Sequence, residues 1–203
     1  MSDPVTQGRL LPPVRKTASF RDLGPVDIGA LAPLVARISD DTWQAEDARK
    51  ENDFAVFHHT RHIVFRFTPG NRTPLDFYST PAWTVWSPVL LPIMRAAIRD
   101  YAFVSPEFPK AMLARLEAGH VMDPHRDGAG SNLLTHKIHI PVQTNPGALF
   151  CAGGEVRHLA LGQAYEVNNI GEHSARNDGA QDRIHFIFEV FENAPEGRRE
   201  VAV

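Results

Sequence analysis

Histidine is the residue that stands out here: ten in a chain of 203, seven of them between His120 and His185. Within that stretch, His125-Arg126-Asp127 sets an imidazole and a carboxylate two positions apart. On extended backbone such side chains leave the same face and can approach one point. A third donor must then come from a distant part of the chain, and His173 stands after an apolar run that reads as a strand. Two neutral imidazoles and one carboxylate occupy one face of an octahedral metal and leave three positions open. That arrangement suits non-haem Fe(II) binding a co-substrate and O2. Arg183 follows His173 by ten residues on the last strong strand. Its planar fork suits a co-substrate carboxylate, held through two parallel charge-assisted hydrogen bonds.

To bring these residues together the chain needs a scaffold of strands. From Met112 on, short apolar runs cover 112–116, 136–142, 148–152, 156–159, 164–167 and 184–191. Turn chemistry separates them: Asp127-Gly128, Asn145-Pro146-Gly147, Gly153-Gly154, Leu161-Gly162 and Asp178-Gly179. Many short strands with frequent turns predict a sandwich or barrel. Upstream, His62 to Phe67 alternates, with Ile63, Phe65 and Phe67 expected on one side. Two helices are expected before and after it. One is capped by Asp27 and places Ile28, Leu31, Leu34, Val35 and Ile38 on one face; the other starts at Ser87-Pro88 and runs to Tyr101. The expected organisation is an irregular arm over 1–24, one domain over 25–192 and a solvated tail over 193–203.

Composition narrows the class. The 203 residues, 43% hydrophobic and 22% charged, amount to about one domain's worth of chain. A formal net charge of −3 is the opposite of a nucleic-acid binder's basic surplus. The single cysteine, Cys151, excludes an internal disulfide and fits a reducing cytoplasm. No apolar run approaches a membrane span, and the first residues carry neither the basic end nor the apolar stretch of a secretory signal.

The segments Met122-Asp123-Pro124-His125-Arg126-Asp127, His136-Lys137-Ile138-His139-Ile140-Pro141-Val142, Tyr165 through Asn177 and Asp182-Arg183-Ile184-His185, in this order and spacing, resemble the aspartyl/asparaginyl β-hydroxylase family. The resemblance covers residues of about 110–192. It implies a mainly β fold, a double-stranded β-helix (jelly roll, cupin-like) with the N-terminal helices packed on one sheet. It also implies an Fe(II)- and 2-oxoglutarate-dependent dioxygenase that hydroxylates an amino acid, free or within a peptide or protein. By position, His125 and His173 match the iron-binding histidines. Arg183 matches the arginine that pairs with the distal carboxylate of 2-oxoglutarate, and His139 matches a histidine that helps hold this co-substrate. Lys137 stands where the family often has arginine, and on a strand it shares a face with His139. The peptidyl aspartate hydroxylases lack a carboxylate at the position of Asp127. The proline hydroxylases of the same fold keep it, so a free amino acid competes with a peptidyl side chain as the expected substrate.

Arg66, His62, Asn169 and Asn177 are further expectations for substrate contact, as donors near the barrel mouth or around His173. Arg61 and Arg66 fall on opposite faces of their strand, so at most one is expected to reach the pocket. His136, His158 and His185 are expected to be structural. From a different class, a metal-binding cupin acting as a sensor or binding protein would use the same histidines without consuming 2-oxoglutarate.

Overall fold

The structure is a computed structural model and describes residues 10–51 and 53–194. In chain order it holds β1 (Phe20–Pro25), α1 (Ala32–Val35), α2 (Asp40–Asp47), β2 (Thr60–Phe67), β3 (Tyr78–Ser79), α3 (Pro81–Ala97), β4 (Pro106–Leu116) and β5 (Val121–His125). There follow α4 (Ser131–Leu134), β6 (His136–Gln143), β7 (Ala148–Ala152), β8 (Glu155–Arg157), β9 (Gln163–Val167), β10 (His173–Asn177) and β11 (Arg183–Glu192). Seven strands form one antiparallel sheet in the order β1-β9-β6-β11-β4-β2-β3, and four form a second in the order β5-β10-β7-β8. The fold is mainly β, a jelly roll of two facing sheets, as the run of short strands predicts.

Alternation along the central strands separates two cores. Ile138 and Ile140 on β6, Phe186 and Phe188 on β11, Leu113 on β4 and Phe65 on β2 turn outward. There they meet Leu90, Ile93 and Met94 of α3 and Leu31, Val35 and Trp43 of the N-terminal helices. This layer of helices covers the outer face of the large sheet. The inner faces of the two sheets meet through Phe20, Leu116, Met122, Phe150, Tyr165 and Ala175, and leave a cavity that Met122 and Phe150 border. On β11, Arg183, Ile187 and Glu189, which share one parity, line that cavity, and Phe188 also borders it.

Several expected boundaries move. The arm read as irregular ends in β1, which pairs with β9 from Phe20↔Val167 to Pro25↔Gln163. Residues 1–9 and 195–203, most of the expected tail, lie outside the described residues. The helix expected from Asp27 shortens to α1. Asp27 instead accepts a hydrogen bond from the Gly29 amide at 2.8 Å, a local turn that competes with a helical start. A separate helix, α2, begins where Ser39 caps the Thr42 amide at 3.2 Å. α3 starts at Pro81, earlier than Ser87-Pro88, since Pro81 occupies the first helical turn where no amide is needed. Pro88 then lies inside the helix. Among the described residues no helix is long and apolar enough to cross a membrane.

Candidate active site

Two irregularities in strand pairing set the site. In β5 the register against β10 slips between His173↔His125 and Ala175↔Met122, so three residues of one strand span two of the other. Such a bulge turns His125 to the inner face although Met122 also faces inward. Pro124 sits in this bulge on an edge strand, where a missing amide breaks no ladder. His173 opens β10 directly opposite His125, and their rings lie 4.2 Å apart between centroids. Asp127 follows in the loop, tied by its amide to the Asn169 carbonyl at 2.9 Å. Gly130, with φ of +88°, finishes this loop so close to Asn71 that a Cβ would strike its carbonyl oxygen.

The donor atoms of His125, Asp127 and His173 all lie within 4.8 Å of one another. Asp127 Oδ1 is 3.9 Å from His125 Nε2 and 3.8 Å from His173 Nε2. The Nδ1 atoms face backbone carbonyls, of Asp123 at 2.8 Å and of Gly171 at 3.0 Å. A carbonyl only accepts, so each Nδ1 carries the proton and each neutral ring keeps its lone pair on Nε2. Burial and the nearby Lys137 ammonium outweigh the Asp127 carboxylate and lower the His173 pKa to about 4. At neutral pH that lone pair is therefore free. Phe150 stacks on His173 and Phe57 meets His125 edge-on, which holds both rings and keeps water from their faces.

The second oxygen of Asp127 accepts from the Lys137 ammonium at 2.5 Å and from the Asn169 amide at 3.1 Å. Although burial opposes ionisation, the Lys137 charge and these two hydrogen bonds hold the carboxyl well below the usual carboxylate range. Asn169 Oδ1 in turn accepts from Lys16 at 2.9 Å. Lys137, expected on the co-substrate, is thus engaged with the carboxylate donor. Replacing it with methionine leaves Asp127 without its counter-charge, so affinity for a divalent metal should fall by about 10- to 100-fold. Titration of metal-free protein with Co(II) measures this; unchanged affinity would return Lys137 to the role first expected.

Arg183 lies 3% exposed on the inner face of β11. Its Nη1 meets His185 Nδ1 at 3.3 Å, its Nε has no partner, and among the described residues no carboxylate pairs with it. Burial alone lowers its pKa, to about 10, so it remains charged at neutral pH. His139 is buried beside it in the cavity wall, its Nδ1 3.4 Å from His185 Nδ1, and burial with the Lys137 and Arg183 charges keeps it neutral. A buried charge without an anion is costly. The geometry therefore calls for an anionic ligand.

Other expectations are redistributed. His62 lines the cavity. Arg66 does not: the register of β2 against β4 shifts between Val64 and Arg66, which inverts the alternation. Phe67 consequently faces the cavity, whereas Arg66 stacks over Trp83 at 4.2 Å and bonds Glu107 at 3.0 Å on the outside. Asn177 spends its amide on the Leu116, Glu117 and Gln181 carbonyls, closing a turn away from the cavity. Asn169 is fully buried and holds Asp127 instead of substrate. Lys110 and Glu189 were not anticipated as lining residues. Their strand parity, shared with Met112 and with Arg183, was the available signal. A second group of metal-type donors, His59, Glu117 and His120, lies outside the cavity, and Arg61 already pairs with its carboxylate at 2.9 Å.

Comparison with known proteins places this geometry among relatives. The family described as aspartyl/asparaginyl β-hydroxylase matches residues 84–193, more than half of the chain. A search of curated proteins finds no match. Among solved structures, an oxidoreductase of the 2OG-Fe(II) oxygenase family from Burkholderia pseudomallei superposes with a TM-score of 0.53 at 12% identity, over 82% of this chain and 90% of that one. HygX from Streptomyces hygroscopicus, solved with nickel and 2-oxoglutarate bound, gives 0.51 at 13% identity over 86% of this chain and 83% of its own. At such identities the likeness is one of fold.

Proposed function

We propose, from the premise that this chain belongs to the aspartyl/asparaginyl β-hydroxylase family, that it is an Fe(II)- and 2-oxoglutarate-dependent dioxygenase hydroxylating a C–H bond of an amino acid, free or within a peptide or protein. One observation carries this reading: a single cavity holds three converging metal-type donors and a buried guanidinium without an anion. His125 and His173 through Nε2, and Asp127 through Oδ1, would hold the iron. Arg183 would hold the distal carboxylate of 2-oxoglutarate, with His139 beside it. When bound, Fe(II) supplies dioxygen activation, coupling oxidative decarboxylation of 2-oxoglutarate to succinate with transfer of one oxygen atom to the substrate.

The chain's own residues supply geometry and exclusion. Lys137 and Asn169 keep Asp127 ionised and aimed, while the Asp123 and Gly171 carbonyls hold the imidazole tautomers. Phe57 and Phe150 shield the rings. The catalytic unit spans residues 25–192 together with the rest of β1. Asp127 supports a free amino acid of the proline type as substrate; the family supports an aspartyl or asparaginyl side chain. A single cysteine supports a reducing, cytoplasmic setting.

Anaerobic titration tests the core of this reading. A weak visible charge-transfer band that needs both Fe(II) and 2-oxoglutarate is expected. A cupin that only binds metal would take up iron and show no response to 2-oxoglutarate, and that result would overturn the proposal.

A further inference from the structure

Resting on the dioxygenase reading, we propose that the substrate is an N-acylated amino acid with an apolar side chain and a free carboxylate, held at the cavity rim by Arg126. The cavity is about 690 Å³, and its charged lining groups are Lys110, Arg126, Asp127, Lys137, Arg183 and Glu189. Nearly all of them are committed. Lys137 pairs with Asp127. Lys110 donates its three protons to Asn71 at 2.8 Å, Asn132 at 2.9 Å and Glu189 at 3.2 Å, while the other oxygen of Glu189 accepts from the Thr135 hydroxyl at 2.8 Å. The co-substrate takes Arg183.

Arg126 is what remains. It is exposed, lines the cavity, and forms no hydrogen bond or ion pair among the described residues. Its neighbours on both sides, His125 and Asp127, are fixed donors, which anchors its backbone beside the reacting centre. A guanidinium without a partner at the cavity rim can hold a carboxylate through paired charge-assisted hydrogen bonds.

The same count weighs against a zwitterion, the free amino acid that Asp127 taken alone supports. Both lining carboxylates are already paired, so an entering ammonium would lose its water without gaining an acceptor of opposite charge. Acylation removes that charge. Phe54, Val56, Phe57, Phe67, Met112 and Ile187 supply an apolar wall for the side chain and acyl group. Phe54, 64% exposed, meets Phe57 edge-on at 6.3 Å between ring centroids and carries this wall out to the rim. An internal aspartyl residue offers Arg126 its carboxylate but brings no apolar side chain for that wall.

A free N-acyl amino acid and the C-terminal residue of a peptide share this chemistry. The test therefore offers N-acetyl-L-leucine, an acetylated tripeptide ending in leucine, L-leucine, N-acetyl-L-leucine amide and an acetyl-aspartyl amide to the Fe(II) protein with 2-oxoglutarate in air. Succinate release and product mass are read. One or both acyl carboxylates should gain one oxygen, and which of them does assigns the source. The zwitterion and both amides should show kcat/KM lower by about tenfold or more. Arg126→Ala should raise KM for the favoured carboxylate by about tenfold with a smaller change in kcat, and Arg126→Lys should restore part of it. Equal turnover of L-leucine or its acetyl amide, preference for the aspartyl amide, or an unmoved KM in Arg126→Ala would overturn the inference. So would inert acyl carboxylates in protein that shows the Fe(II)/2-oxoglutarate band. Absence of the band strikes the underlying reading instead, and this inference with it.

Discussion

Replacing His173 with alanine should reduce 2-oxoglutarate-dependent succinate formation to below about one-thousandth of the parent rate, because one lost donor removes metal-ion stabilisation worth several kcal/mol. The ring has no other evident task that would mask this result. Its Nδ1 bonds a nearby carbonyl, Phe150 stacks on it, and its Nε2 faces Asp127 Oδ1. Asp127→Asn should match the loss for a different reason. The amide keeps the shape but lacks the charge, and it sets an NH2 group or a neutral oxygen against the Lys137 ammonium. Asparagine is the better probe than alanine here, since truncation would also leave the half-buried Lys137 ammonium without its hydrogen-bond acceptor and add a stability cost to the readout. Circular dichroism melts separate misfolding from loss of the site. Substantial succinate production by folded His173→Ala would remove it from the metal centre.

Arg183→Met should affect stability and binding in opposite senses. In the parent protein a buried guanidinium, charged at neutral pH, has no anion within the described structure. Methionine fills similar volume without that charge, so protein free of 2-oxoglutarate should gain stability, by about 1 to 3 kcal/mol. The parent should rise in Tm on adding 2-oxoglutarate, as any ligand that binds only the folded state produces. The variant should lose this rise, and its KM for 2-oxoglutarate should increase by about 100-fold, the loss expected for a desolvated charge-assisted pair. Thermal melts with and without 2-oxoglutarate measure both effects. A variant that is destabilised and still responds to 2-oxoglutarate would show that Arg183 serves packing alone.

Much of this site was legible because it depends on residue type and strand parity. His125, Asp127 and His173 are donors of the right kinds, and Arg183 shares the parity of Ile187 and Glu189, so its inward direction follows once β11 is recognised. The misreadings have local causes. A bulge in β2 sends Arg66 outward, where it stacks on Trp83, and turns Phe67 inward; alternation alone predicts the reverse. Asn177 and Asn169 carry the same amide, yet one closes a turn and the other orients Asp127. Lys137 could serve co-substrate or carboxylate equally well by type. Its 2.5 Å contact with Asp127 is the one the fold shows, and only register could bring the two together.

By itself, then, the sequence determined the class of fold, the kinds of donor and their order along the chain, since periodicity and side-chain chemistry are local properties. Only the tertiary structure decided which donors share a point, which charges are spent on one another and which stay open to a ligand. Those outcomes depend on register: a single inserted residue in β5 or β2 turns side chains to the other face, and contacts such as Lys110 with Glu189 join positions 79 residues apart.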